Sequence, residues 1–238
     1  MSQFVALYRT ILGSIATKGR LALLVALGLV AILIGFAMST GEARFDPVQE
    51  AADMVNGYGL AVLVPVVALV FASAALGDMV DDSTLVYLWL RPVPRETLAL
   101  AATAAAATIS IPLVALPLMI AAALAGGDGA LVAATVAAAA VCGLAYCGLF
   151  VALGLRIKRA LSWGIAYVLI WEGFVARAGS GAARVSVQTY GRSILTAAAD
   201  VHLDLADVAP VAAVVVPVLV AMIGVALTTR FLHSRDVA

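Results

Sequence analysis

The sequence predicts an all-α polytopic membrane bundle. It should have six transmembrane helices, an N-terminal amphipathic helix at the membrane interface and a short amphipathic helix between the second and third spans. Three observations predict this. Hydrophobic residues make up 64% of the 238 and charged residues 12%, with a mean hydropathy of +1.12; a soluble domain has about 45–50% and about 25%. A soluble fold of this length could not hide so much apolar surface, because folded chains always leave much of their surface in water. The apolar residues also gather into runs of membrane-crossing length, and the basic residues sort to one side of those runs.

Before the first run, Phe4, Tyr8, Ile11, Leu12 and Ile15 recur at helical spacing with polar residues between them. This describes a helix over 1–20 lying flat at the interface, or else an extension of the first membrane helix. A helix needs roughly 20 residues to cross about 30 Å of hydrocarbon. Six segments qualify or come close: Leu21 to Met38, Tyr58 to Leu76, Thr97 to Leu124, Ala130 to Leu155, Leu161 to Val175 and Ala209 to Thr229. The third and fourth are long enough to tilt. The fifth is short. The whole chain reads as one membrane domain, with a cytoplasmic segment over 77–96 and an outer segment over 176–208. That outer segment is too polar to span and suits either short re-entrant helices or a loop.

With the N-terminus inside, the cytoplasmic set is Arg9, Lys18, Arg20, Arg91, Arg95, Arg156, Lys158, Arg159, Arg230 and Arg235, against Arg44, Arg177, Arg184 and Arg192 outside. This is the bias of the positive-inside rule, and an even helix count returns the C-terminus to the cytoplasm. The apolar run after Arg20 is too long for a signal peptide, and no small-residue cleavage site closes it. Two Lys against twelve Arg, with abundant Ala and Val, fit a GC-rich bacterial genome and hence a cytoplasmic (inner) membrane.

Pro65, Pro112, Pro117 and Pro217 fall inside predicted spans, where each removes a backbone donor and bends its helix. Gly143, Gly148 and Gly154 offer small faces for close packing of the fourth span. Cys142 and Cys147 sit in the same run and read as small hydrophobes rather than a disulfide or metal site. No phosphate-cradling loop exists, since neither lysine follows a glycine. Neither H-E-x-x-H nor G-x-S-x-G occurs. His202 and His233 are isolated. The chain therefore reads as no enzyme, with no cofactor, no metal and no nucleic-acid partner. Glu172 is the one carboxylate close to hydrophobic depth, where an ionisable group is a functional hypothesis by default. Its place beside Trp171 at the end of a short run favours instead a snorkelling carboxylate in an aromatic belt at the outer surface.

The most informative stretch runs from Gly77 to Glu96. Asp81 or Asp82 can cap a short helix on which Leu85, Leu88 and Trp89 form an apolar stripe, and Pro92 stops it. Such an element presents itself to a soluble partner. The residues Ser83-Thr84-Leu85-Val86-Tyr87-Leu88-Trp89-Leu90-Arg91-Pro92-Val93-Pro94-Arg95 resemble a stretch of the ABC-2 type permeases, the six-helix membrane subunits of bacterial ATP-binding-cassette exporters, which read E-x-x-x-G-T-L-x-Y-L-L-x-R-P-V-S-R there. Thr84, Leu85, Tyr87, Leu88, Arg91, Pro92, Val93 and Arg95 match; Ser83 stands where the family has Gly, Pro94 where it often has Ser, and Asp78 near the acidic position. The layout of spans is similar too.

The resemblance implies a mechanism. Two permease subunits, identical or homologous, pair as a dimer in the membrane lipid, and cytoplasmic ABC ATPase subunits dock on a coupling helix. Asp78, Asp82, Thr84, Leu85, Tyr87, Leu88, Trp89, Arg91 and Arg95 would meet the ATPase, and ATP and Mg would be bound on that partner. A pathway without deep charges suits a hydrophobic or amphiphilic cargo. Two other functions fit part of the pattern: an accessory subunit that docks a partner without forming the pathway, and an integral-membrane enzyme.

Overall fold

In the computed structural model, residues 3–41, 46–82, 93–173, 180–204 and 208–234 are described, and among them every regular element is helical. Among the described residues, five helices are long and apolar enough to cross a membrane. In chain order the elements are α1 (Gln3–Ile15), α2 (Lys18–Ser39), α3 (Pro47–Asp81), α4 (Arg95–Leu124), α5 (Gly129–Arg156), α6 (Ala160–Glu172), α7 (Ser180–Ala183), α8 (Val187–Ala199) and α9 (Pro210–Ser234). One end of the bundle gathers Lys18, Arg20, Arg95, Arg156 and Lys158 and is called the basic end. The opposite, acidic end carries Asp46 and Asp128, which cap the starts of α3 and α5 by accepting from the backbone N–H groups of Gln49 and Leu131. These caps supply acceptors that helix N-termini otherwise lack.

The helix α5 is the hub, packing on α3, α4, α8 and α9. Small residues allow the approach. Gly154 lies on the backbone of Ser73, and Gly148 lies on the backbone of Ala221 and Gly224. In lipid, helix association depends on such close packing, since the surrounding tails are as apolar as the side chains themselves. Of the three glycines expected to serve this face, Gly148 and Gly154 do so, and Gly143 meets only the Ile111 side chain at ordinary distance.

The chain is extended at Thr17, so α1 is separate from α2 and is not its continuation. It packs on α4 and α3, burying Ile11 and Ile15, while Phe4 stays exposed. The Tyr8 hydroxyl donates to Thr108 Oγ1 at 3.1 Å. Its apolar stripe is thus shared between protein and surroundings.

Two departures from sequence expectation matter. The second span begins at Pro47, well before Tyr58, and its residues Val55–Leu63 are π-helical. The Val64 N–H there bonds to the Gly59 carbonyl, five residues back, immediately before Pro65, which has no N–H to donate. The second departure is the fifth predicted span. The helix α6 is about 20 Å long at 1.5 Å per residue, against roughly 30 Å of hydrocarbon. It starts at the basic end, after a left-handed Arg159, and stops inside the bundle. Among the described residues, five helices are of crossing length and α6 is shorter, so the expected six crossing helices are not confirmed.

Candidate functional site

The end of α6 is also π-helical, over Val168–Glu172, and the Gly173 N–H closes it on the Val168 carbonyl at 3.0 Å. The wider turn places Glu172 beside α5 and the start of α8. Tyr167 packs edge-on against Phe150, and Phe150 stacks on Tyr146. Cys142, at the midpoint of α5, donates through Sγ to the Val187 carbonyl at 3.5 Å. The first residue of α8 therefore lies about halfway through the bundle, level with the end of α6. Farther along the chain, the backbone N–H of His202 donates to Gln49 Oε1 at 2.8 Å near the acidic end.

Glu172 bridges this break. Its carboxylate accepts from the Ser186 hydroxyl, from the Val187 backbone N–H at 3.2 Å and from the Tyr167 hydroxyl at 3.4 Å. Ser186 is the residue before α8, and Val187 its first. The carboxylate thus completes the N-terminus of α8, where unpaired N–H groups and the helix dipole favour negative charge. Irregular backbone at membrane depth persists only where protein groups satisfy it. At 1% exposure, Glu172 is enclosed by protein. The expectation of a snorkelling carboxylate at the outer surface is corrected: the π-helical turn directs the residue inward, and the helix ends too early to reach a surface. No cationic side chain pairs with it among the described residues. The Tyr146 hydroxyl, fully buried, faces it without reaching hydrogen-bond geometry.

A groove of about 550 Å³ opens beside this cluster between α5, α6, α8 and α9. Phe150, Tyr167, Trp171, Val187, Val220 and Ile223 are among the residues that line it. Tyr167 and Val187 form part of its wall and at the same time donate to Glu172. The volume falls in the range of small-molecule sites, which are mostly apolar with few polar groups.

At the basic end, Asp78 is inside α3 and pairs with Arg20 through two bonds, Nη1 to Oδ2 at 2.8 Å and Nη2 to Oδ1 at 3.1 Å. This bidentate ion pair ties the start of α2 to the last turn of α3. Asp81 is the last residue of α3, and Asp82 caps its C-terminus with its N–H on the Asp78 carbonyl. Arg95 is the first residue of α4. The fold thus brings Asp78, Asp82 and Arg95 to one end. Thr84, Leu85, Tyr87, Leu88, Trp89 and Arg91, together with the helix they were expected to form, lie outside the described residues.

Sequence reasoning missed Ser186, Val187 and Tyr167 as partners of Glu172. Two signals pointed toward them: a lone acid in an apolar run, and a run too short to cross. The outer segment over 176–208 contains α8, whose Gln188 donates to the Asn56 side chain at 3.2 Å and whose Arg192 donates to it at 2.8 Å. These bonds fasten α8 to α3.

Comparison with known families gives a match to the ABC-2 family transporter protein model over residues 16–181. That range runs from just before α2 into α7. A search of curated proteins finds no match.

Proposed function

The chain belongs to the ABC-2 family of transporter proteins, a permease subunit of an ABC transporter, and from that premise we propose that it serves an exporter driven by ATP hydrolysed on separate cytoplasmic subunits. The observation that carries the proposal is the match to the family across four of the five crossing helices, in a chain with no phosphate-binding loop of its own. In this reading the basic end faces the cytoplasm, as the excess of Arg and Lys there requires of a bacterial inner-membrane protein. Both termini are then cytoplasmic, and a second copy or a homologue completes the dimer.

The stretch from Asp78 to Leu90 serves in this reading as the element on which the ATPase docks; it leads from the last turn of α3 toward α4, and the Arg20–Asp78 pair ties its first residue to α2. Movement of a docked ATPase is thereby transmitted to three helices at once, and the dimer switches between two conformations as ATP binds and is hydrolysed. The cargo is hydrophobic or amphiphilic, in keeping with the mostly apolar groove.

The test is Leu88→Asp in the permease co-expressed with its ATPase. A carboxylate placed in an apolar docking groove costs several kcal/mol to desolvate, and about 1.4 kcal/mol is already tenfold in affinity. Co-purification of the ATPase should fall at least about tenfold while the permease still inserts. Undiminished co-purification with undiminished ATP hydrolysis removes the docking role. ATP-dependent cargo movement by the reconstituted pair, measured in sealed vesicles, fixes the direction; docking without cargo movement identifies an accessory subunit.

A further inference from the structure

We propose that the groove between α5, α6, α8 and α9 binds an amphiphilic organic monocation, with the Glu172 carboxylate as its counter-charge one layer behind the wall. Three observations converge on this ligand class. Glu172 is 1% exposed and, among the described residues, has hydrogen-bond donors but no cation. A buried carboxylate held, among the described residues, by dipolar partners alone is a place where a ligand cation adds an attraction that those partners do not supply. The groove is next to that charge, because Tyr167 and Val187 both line it and donate to Glu172. Among the described residues no lining side chain carries a charge, so none of these competes for the carboxylate.

The wall also has the surfaces that such a ligand needs. Phe150, Tyr167 and Trp171 present aromatic rings, which attract cations through their negative faces. Val220 and Ile223 on α9 supply the aliphatic side. A fully hydrophilic cation would lose its hydration without replacement, whereas one with a large apolar body buries that body as its charge approaches the rings. A lipid acyl chain would fill the groove but leave the Glu172 charge as it was. Ionisable groups at membrane depth mark the paths of substrates and ions. The assignment rests on the exporter reading only in naming the ligand as cargo.

The experiment uses the purified full chain in a nonionic detergent, with tetraphenylphosphonium as the cationic probe and tetraphenylborate as an anion of the same shape. Binding to empty micelles is subtracted. The cation should bind saturably and at least about tenfold more tightly than the anion, and Glu172→Gln should weaken it about tenfold without weakening the anion. Ile223→Trp, which fills the groove from α9 without touching Glu172, should abolish saturable binding. Equal binding of the two probes overturns the proposal and identifies an apolar slot of the kind a lipid chain occupies. Unchanged cation affinity in folded Glu172→Gln also overturns it. Should that variant fail to fold, the probe ratio and Ile223→Trp decide, and undiminished binding in the latter overturns the location. None of these measurements needs the ATPase, so their failure leaves the exporter reading standing, and loss of docking leaves them intact.

Discussion

The central helix α5 and the interrupted path from α6 to α8 solve the same problem in opposite ways. In α5 the backbone bonds run along one unbroken helix, and its glycines let α3 and α9 approach to backbone contact. From α6 to α8 the chain stops partway, and side chains supply what the helix no longer provides: Glu172 accepts from Ser186, Val187 and Tyr167 where a continuous ladder would have needed none of them. The difference teaches where polar residues are required in a membrane protein. An unbroken helix tolerates an almost wholly apolar sequence, and a broken one does not. The groove lies along this interrupted path, between α5, α6, α8 and α9.

The sharpest way to break this comparison is to remove the close approach in α5. A side chain at residue 154 would collide with the Ser73 backbone, which has no room to move. Gly154→Val should destabilise by more than the roughly 1–3 kcal/mol of ordinary overpacking and leave little folded protein, read as loss of the monodisperse peak in detergent chromatography. Gly181→Ala is the control, since nothing lies within 4 Å of the added carbon; its elution should be unchanged.

A smaller effect is expected at the break. Glu172→Ala strips the Val187 N–H and the Ser186 hydroxyl of their acceptor, at about 1–3 kcal/mol for each buried group left unpaired. Thermal unfolding should shift downward, and amide exchange should quicken in the first turn of α8 while α5 stays protected. Equal loss of protection in both would show that the two regions form one cooperative unit.

The smallest effect belongs to the Arg20–Asp78 pair, whose side chains are 28% and 44% exposed. Such pairs contribute about 0–1 kcal/mol, so Arg20→Ala should barely move the unfolding temperature. Its consequence should appear in coupling: ATP hydrolysis stimulated by the permease falls, and the exchange Arg20→Asp with Asp78→Arg recovers part of it. A large stability loss from Arg20→Ala would instead make this pair a structural anchor equal to the glycine contacts.

Much of this was legible in the residues. The runs ending at Leu124 and Leu155 match the ends of α4 and α5 closely, because no charged side chain interrupts them and Asp128 caps the start of the second. The prolines inside α4 and α9 lie within helices as expected. The start of α3 at Pro47 was not legible, since its first turns carry Gln49, Glu50 and Asp53, which composition assigns to a loop. Gln49 is held there by the backbone N–H and carbonyl of His202, a partner distant in sequence.

The sequence by itself determined the class of the protein, its helical spans and the end of the bundle that is basic, because hydrophobic length and charge placement act locally and each residue counts independently of its neighbours in space. Only the tertiary structure decided that the fifth run stops partway and that Glu172 turns inward to α8. Hydropathy measures what a residue costs in lipid, whereas the fate of a buried carboxylate depends on which donors the fold brings to it, and those donors come from residues 186 and 187, on the far side of the break.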